Sequence, residues 1–107
     1  MFIPGSMGTR SYVLAGTDAA LGLSFGSTCH GAGRALSRHA AKRAKPGSEV
    51  RRELAAQGIA IACPSSGELA EEAPLAYKDV ERVVDVVQRV GLARKVARLR
   101  PIGVVKG

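Results

Sequence analysis

The sequence has 107 residues, which is long enough for one small domain. Of these residues 46% are hydrophobic but only 4% are aromatic, with no tryptophan, so the core must be built from Ala, Val, Leu and Ile. Sixteen Lys and Arg against nine Asp and Glu give a formal charge of +7, which fits either a polyanionic partner, most commonly nucleic acid, or a basic protein whose charge only maintains solubility. No apolar run approaches the length of a membrane span, no signal-peptide pattern opens the chain, and two cysteines are too few for a zinc cluster, so we expect a cytoplasmic protein without a membrane partner.

The N-terminal half predicts one strand, a glycine-rich loop and a basic helix. Residues 1–9 form a short apolar lead into a Gly-Ser loop, and residues 11–16 predict a short strand. Residues 24–25 are expected to be extended before the glycines. Residues 34–45 alternate alanines and leucine with basic residues, which predicts a helix that Pro46 and Gly47 end.

The C-terminal half contains the clearest periodic signal. A helix is predicted over 48–58, a strand over 59–63, and a loop or short helical turn over 65–74. Asp79 can cap a helix over 79–90, and residues 93–106 predict an extended tail interrupted at Pro101 and Gly103. The helix is indicated by one apolar stripe of valines at helical spacing: Val80, Val83, Val84, Val87 and Val90. Short strands and helices without regular βαβ alternation predict an α+β fold.

The loop over residues 23–34 places His30 among glycines and small polar residues, with Arg34 closing it. Gly31, Ala32 and Gly33 leave little bulk beside the imidazole, so their amides, leading into a helix from Arg34, suit a phosphate. His30 would then act as nucleophile, acid/base group or metal ligand, whereas the alternative is a structural histidine. The spacing is neither a Walker A loop nor a dinucleotide fingerprint.

Four separated motifs, taken together, carry a family resemblance. Residues 23–34, with Ile3-Pro4-Gly5-Ser6-Met7-Gly8-Thr9, Leu69-Ala70-Glu71-Glu72-Ala73-Pro74 and the ending at residues 98–107, resemble the C-terminal part of the RtcB family, in the same order. These proteins are GTP- and manganese-dependent RNA-splicing ligases. The resemblance implies that the chain is the C-terminal portion of an RtcB-like fold rather than a complete independent domain, and that the metal-binding half lies upstream.

The resemblance also implies a reaction for His30. The family uses a histidine at the matching position to attack the α-phosphate of GTP, forming a histidine–GMP intermediate and releasing pyrophosphate. The GMP then passes to an RNA 3′-phosphate, which is first produced from a 2′,3′-cyclic phosphate where necessary, and a 5′-hydroxyl displaces it to join the strands. The manganese ligands are expected upstream, and no metal ligand is assigned within this chain, which alone is expected to be inactive.

Further site residues follow from the same resemblance. Its nucleotide site (GTP or GMP) would include Ser6, Ser11, His30, Ala32, Gly33, Tyr77 and Lys106, and its RNA phosphate would be bound by Arg34 and Arg38. Because Arg34 and Arg38 are four residues apart on the predicted helix, they are expected to project from one face close to His30. Each assignment has an ordinary structural alternative: a solvated basic face for the arginines, a packed ring for Tyr77 and a frayed end for Lys106.

Two adjacent carboxylates, Glu71 and Glu72, look like metal or acid/base residues, but we interpret them as part of a loop. Cys29 and His30 are neighbours in sequence, a placement that rarely gives the geometry of a Cys–His nucleophile. The partners implied are RNA (tRNA exon halves or other broken RNA ends) and the N-terminal part of the ligase, and a need for archease stays open. The alternative function is a non-catalytic basic RNA-binding or assembly fragment derived from that ligase.

Overall fold

The computed structural model describes all of residues 1–107 and has the mixed α+β composition expected from the sequence. None of its helices is long and apolar enough to cross a membrane. The chain divides into two compact units, each with its own hydrophobic core. In chain order the elements are β1 (Phe2–Ile3), β2 (Ser11–Gly16), α1 (Ala19–Ser24), α2 (Arg38–Ala44), α3 (Gly47–Ala56), β3 (Ala60–Ala62), α4 (Ser66–Glu71), a 3-10 turn (Pro74–Ala76), α5 (Val80–Val90), β4 (Ala93–Leu99) and β5 (Gly103–Val105).

The first unit comprises residues 1–5, 10–32 and 79–100 and is built on a three-stranded antiparallel sheet of order β1-β2-β4. The register pairs Ile3 with Tyr12 and Ser11 with Leu99. Helix α5 packs on this sheet, as its valine stripe predicts. The buried core consists of Ile3, Tyr12, Leu14, Ala32, Val80, Val84, Val87 and Ala93.

The valine stripe of α5 confirms the helix predicted over 79–90. Asp79 caps it by accepting a hydrogen bond from the amide of Glu81, and Gly91 ends it. Val80, Val84 and Val87 are buried and Val83 is half-buried. The exception is Val90, predicted to lie in the stripe, which is exposed at the last turn of the helix.

The second unit comprises residues 6–9, 33–78 and 101–107 and contains the parallel pair β3-β5 with helices α2 to α4. Its core is formed by Met7, Val50, Leu54, Ile59, Cys63, Leu69 and Ala73. The pairing of Ile61 with Val104 anchors the C-terminal tail to the strand that follows α3. Val104 packs against this core, which explains part of the apolar character of the tail.

The helix predicted over 34–45 is wrong at its N-terminal end, because α2 begins only at Arg38. Ser37 caps it by accepting a hydrogen bond from the amide of Ala40. The residues before Ser37 instead form an irregular segment, in which the amides of Ala35 and Leu36 both donate to the carbonyl oxygen of Ala76. Arg34 and Arg38 therefore do not share a helix face, and no helix begins directly after the glycine loop.

Smaller differences concern five other segments. Residues 24–25, predicted to be extended, are the last residue of α1 and a left-handed residue after it, Phe25, which is 94% exposed. The loop or helical turn predicted over 65–74 is helix α4, capped by Ser65, followed by the 3-10 turn. The helix predicted over 48–58 begins and ends slightly earlier, and the strand predicted over 59–63 is shorter at both ends. Gly103 begins β5 instead of interrupting the tail.

Candidate functional site

Several residues singled out from the sequence meet in the second unit around two adjacent carboxylates. We call this group the carboxylate cluster, and its members are Arg34, Arg38, Lys42, Glu71, Glu72, Tyr77 and Lys106. The 3-10 turn brings Tyr77 back towards the end of α4, and a single antiparallel bridge pairs Tyr77 with Arg34. Residues distant in sequence are thus brought together by short elements of one unit.

Arg34 is the most firmly held cation of the carboxylate cluster, with a side chain only 22% exposed. Its Nε donates to the carbonyl oxygen of Leu36 at 3.0 Å, and its Nη2 donates to that of Glu71. Its Nη1 lies 3.3 Å from both Glu72 Oε1 and the Tyr77 hydroxyl oxygen, and the guanidinium carbon lies 5.0 Å from the centre of the Tyr77 ring. Such a fork of planar donors requires arginine, because a lysine ammonium cannot reach four acceptors in this geometry.

Glu72 is the shared acceptor of the carboxylate cluster. Its Oε2 accepts a hydrogen bond from the Tyr77 hydroxyl and lies 3.6 Å from Lys106 Nζ, while its Oε1 faces Arg34. Burial alone raises the pKa of the Glu72 carboxyl, but the hydrogen bond from Tyr77 and the charges of Lys106 and Arg34 outweigh it, so that this pKa lies below its ordinary value. Glu72 is therefore ionised at neutral pH and balances cations.

The pKa of the Tyr77 hydroxyl is shifted in the opposite direction, above its ordinary value. Burial raises the pKa of Tyr77, and its hydrogen bond to the negatively charged Glu72 raises that pKa further, against a smaller opposing effect of Arg34. The hydroxyl thus keeps its proton at physiological pH and acts as a donor to Glu72. Tyr77 is half-buried.

The second carboxylate, Glu71, pairs with cations of α2. Lys42 Nζ lies 2.6 Å from Glu71 Oε1, and the hydrogen bond from Lys42 is the main reason that the pKa of Glu71 lies below its ordinary value. Arg38 is 63% exposed and reaches Glu71 and Glu72 only at 3.8 and 3.9 Å. Arg38 therefore has donors directed to solvent, whereas those of Arg34 are occupied.

Lys106 is not a frayed end in this structure. Its backbone amide donates to the carbonyl oxygen of Ala62 at 2.8 Å, continuing the pairing of β3 with β5. The side chain is half-buried. By contrast, Val105 is 84% exposed.

His30 lies in the first unit, in the segment between α1 and Ala32 that has no helix or strand, and its side chain is exposed. The amide of Ala32 donates to the carbonyl oxygen of Pro4 at 3.1 Å, which fixes the end of this loop. The hydroxyl of Thr28 is buried without a hydrogen-bond partner in the chain. The imidazole is thus presented to solvent from a loop tied down next to it.

The other predicted nucleotide residues have ordinary local roles: Ser11 begins β2, and Ser6, Ala32 and Gly33 lie in loops. Ser6 and Thr9 hydroxyl oxygens are 2.9 Å apart, and Ser11 Oγ accepts a long hydrogen bond from the amide of Gly5. Ala32 is buried in the core of the first unit. Gly33 has a φ of 77°, a left-handed conformation that a side chain would strain, and its carbonyl oxygen accepts from the amide of Lys78.

Comparison with known proteins decides the family. The model of the family described as tRNA-splicing ligase RtcB matches residues 1–107. The chain belongs to the RtcB family. Relatives named tRNA-splicing ligase RtcB include those of Pyrococcus abyssi, 59% identical, and Archaeoglobus fulgidus, 55% identical, both over all 107 residues. The chain spans 12% of the length of the first relative and 22% of the second.

The chain contains no group of three or more His, Cys, Asp or Glu side chains that could hold a metal ion. Glu71 and Glu72 are both paired with cations, as described above. The two cysteines are free thiols, Cys63 buried in the core of the second unit and Cys29 half-buried.

The sequence interpretation of Glu71 and Glu72 as a loop element is wrong for Glu71. Glu71 is the last residue of α4 and Glu72 its C-cap, and both are central to the carboxylate cluster. One signal was available in the sequence: two adjacent acidic residues lie shortly before Tyr77 in a chain with a net charge of +7. Basic side chains that converge on one site require anionic partners, and this pair was suitably placed to provide them.

Proposed function

We propose that this chain supplies the histidine nucleophile and much of the GTP site of an RNA ligase of the RtcB type, acting on RNA ends such as those of tRNA exons. The single observation that carries the proposal is the match of the family model over the whole chain, which retains His30 in its glycine loop. The exposure of the His30 side chain is what a nucleophile needs, because a nucleotide must reach the imidazole.

In this proposal an imidazole nitrogen of His30 attacks the α-phosphorus of GTP. A P–N bond forms, the bond to the bridging oxygen of pyrophosphate breaks, and pyrophosphate leaves. The GMP is then transferred from His30 to an RNA 3′-phosphate, and attack by a 5′-hydroxyl joins the strands and releases GMP. Neutral imidazole is nucleophilic near pH 7, and its protonated form is a good leaving group for the second step.

The remaining residues have proposed binding roles. Tyr77, Lys106, Ser6, Ser11, Ala32 and Gly33 would line the nucleotide site, and Arg34 and Arg38 would bind the RNA phosphate. The convergence of Arg34, Arg38, Tyr77 and Lys106 on one carboxylate supports the roles proposed for these four residues, since it gathers the cations and the ring in one unit. Manganese, which the resemblance implies, would be held by residues outside this chain, and archease is a candidate activating partner.

The test is the intact mass of the chain after incubation with GTP and manganese, alone and mixed with the remaining part of a family ligase. We expect a GMP-sized adduct in the mixture that is lost in His30→Ala and retained in His39→Ala. His39 is a matched control, because it is the other histidine of the chain and is exposed on α2. An adduct that survives His30→Ala would refute the assignment of the nucleophile.

The second candidate is a basic RNA-binding or assembly fragment without catalysis, favoured by the net charge of +7. It predicts no adduct in a mixture that is shown to be folded and associated. It also predicts RNA affinity that falls steeply with salt and is insensitive to His30→Ala. The two candidates are thus separated by whether the mixture forms an adduct that depends on His30.

A further inference from the structure

We propose that Glu72 is a positioning residue of the nucleotide site, holding the Tyr77 hydroxyl and the Lys106 ammonium where the guanosine nucleotide binds. This inference rests on the proposed function, which places Tyr77 and Lys106 at that site. Glu72 itself was assigned no role by its sequence pattern.

The contacts of one carboxylate oxygen carry the inference. Glu72 Oε2 accepts from the Tyr77 hydroxyl and lies 3.6 Å from Lys106 Nζ, so both groups are placed relative to the same atom. The Glu72 side chain is only 17% exposed, whereas that of Lys106 is 39% exposed. The more deeply buried Glu72 carboxylate therefore orients the Lys106 ammonium, which retains N–H donors for another acceptor.

The contacts of the second carboxylate oxygen indicate that a change at Glu72 affects mainly Tyr77 and Lys106, the residues proposed to bind the nucleotide. Glu72 Oε1 contacts Arg34, but Arg34 also donates to the carbonyl oxygens of Leu36 and Glu71 and to the Tyr77 hydroxyl. Arg34 thus keeps its position when the charge of Glu72 is removed. Lys106 has a single described side-chain partner, Glu72, so the loss falls mainly on Lys106 and Tyr77.

The experiment uses a complete ligase in which these 107 residues replace the matching 22% of the Archaeoglobus fulgidus relative. In Glu72→Gln the shape is retained and the charge is lost. We expect the KM for GTP to rise about tenfold with kcat nearly unchanged, because an interaction that binds ground state and transition state equally appears in KM. A merely structural role would lower the amount of active enzyme, and hence the apparent kcat, without raising KM.

Glu53→Gln is the matched control, since it makes the same chemical change at a glutamate of the same unit that pairs with Lys45 and lies outside the carboxylate cluster. Its KM for GTP should stay within about twofold of the parent. Glu72→Asp keeps the charge on a shorter side chain and should restore part of the affinity, which keeps the test informative if Glu72→Gln folds poorly.

The outcomes separate the inference from the proposed function. If Lys106→Ala raises the KM for GTP and Glu72→Gln does not, Glu72 has no positioning role, while the nucleotide site stands. A fall in KM in Glu72→Gln would show instead that the carboxylate competes with the nucleotide, and would also overturn the inference. If neither variant changes KM, or the parent chimera does not ligate, the proposed function fails and the inference with it.

Discussion

The two arginines that the sequence treats as equivalent should respond very differently to the same substitution. Arg34 has four polar partners and is largely shielded from solvent, whereas Arg38 is 63% exposed and makes only ion contacts of 3.8 and 3.9 Å. We therefore predict that Arg34→Lys lowers the free energy of unfolding of the second unit, and that Arg38→Lys leaves it nearly unchanged.

The magnitude follows from the contacts that lysine cannot make. A lysine at position 34 can keep one ion pair to Glu72, but it loses the bonds to the carbonyl oxygens of Leu36 and Glu71 and the planar stacking on Tyr77. Hydrogen bonds from a charged donor contribute about 1.5 kcal/mol or more each, and water can replace part of them at a site that is 22% exposed. We expect a loss of about 2–3 kcal/mol for Arg34→Lys and less than about 0.5 kcal/mol for Arg38→Lys.

Urea denaturation followed by circular dichroism at the helix band measures both values. The helices α2, α3 and α4 belong to the second unit and α1 and α5 to the first, so the helix signal reports on both units, and a loss confined to the second unit appears as a change in the part of the transition that comes from α2, α3 and α4. The two variants share charge, side-chain type and neighbourhood, and differ only in how the arginine is held. Equal unfolding midpoints for Arg34→Lys and Arg38→Lys would refute the view that the fork of Arg34 stabilises this unit.

Two further predictions concern packing and acid. Gly47→Ala should destabilise the chain by about 2–3 kcal/mol, because an added Cβ would lie 1.9 Å from the carbonyl oxygen of Ser66. Gly22→Ala, with nothing within 4 Å of the new Cβ in α1, should stabilise it by about 0.5–1 kcal/mol; equal urea midpoints would contradict this pair. Folding lowers the pKa of Glu71 and Glu72 below their ordinary value of 4.5. The contribution of these two carboxylates to the free energy of unfolding is therefore complete above that pH and is lost as the pH falls below it. We expect urea midpoints to drop in acid, and to drop less in Glu72→Gln.

The elements that could be predicted from sequence are those whose signal is local. Helix α5 follows from a valine repeat with Asp79 before it and Gly91 after it, and the strand at 11–16 follows from its apolar run. The start of α2 was missed because alanine, leucine and arginine composition outweighed a capping signal that was present. Ser37 precedes the helix at the spacing that lets its hydroxyl accept from the amide of Ala40.

The carboxylate cluster could not be predicted in this way, because its contacts join residues far apart in sequence. Arg34 and Glu72 are 38 positions apart, and no periodic pattern links them. Motif resemblance implied that Tyr77 and Lys106 share a nucleotide site and that Arg34 binds an RNA phosphate, but it gave no reason for the three to meet at Glu72. The meeting depends on the 3-10 turn and on the pairing of β5 with β3, both of which are tertiary features.

Within the proposed function, Arg34 and Arg38 differ in how readily they could bind a phosphate, because their side chains have different numbers of hydrogen-bond partners. A phosphate must find donors that are not already used, and Arg38, loosely paired and open to solvent, provides them at low cost. Arg34 would have to give up bonds to two carbonyl oxygens before it could turn to a ligand, so of the two arginines proposed to bind the RNA phosphate it is the less available. Glu72 contacts both arginines, so the same carboxylate would hold Arg34 in place and attract Arg38 only weakly, while Glu71 and Lys42 balance each other's charge.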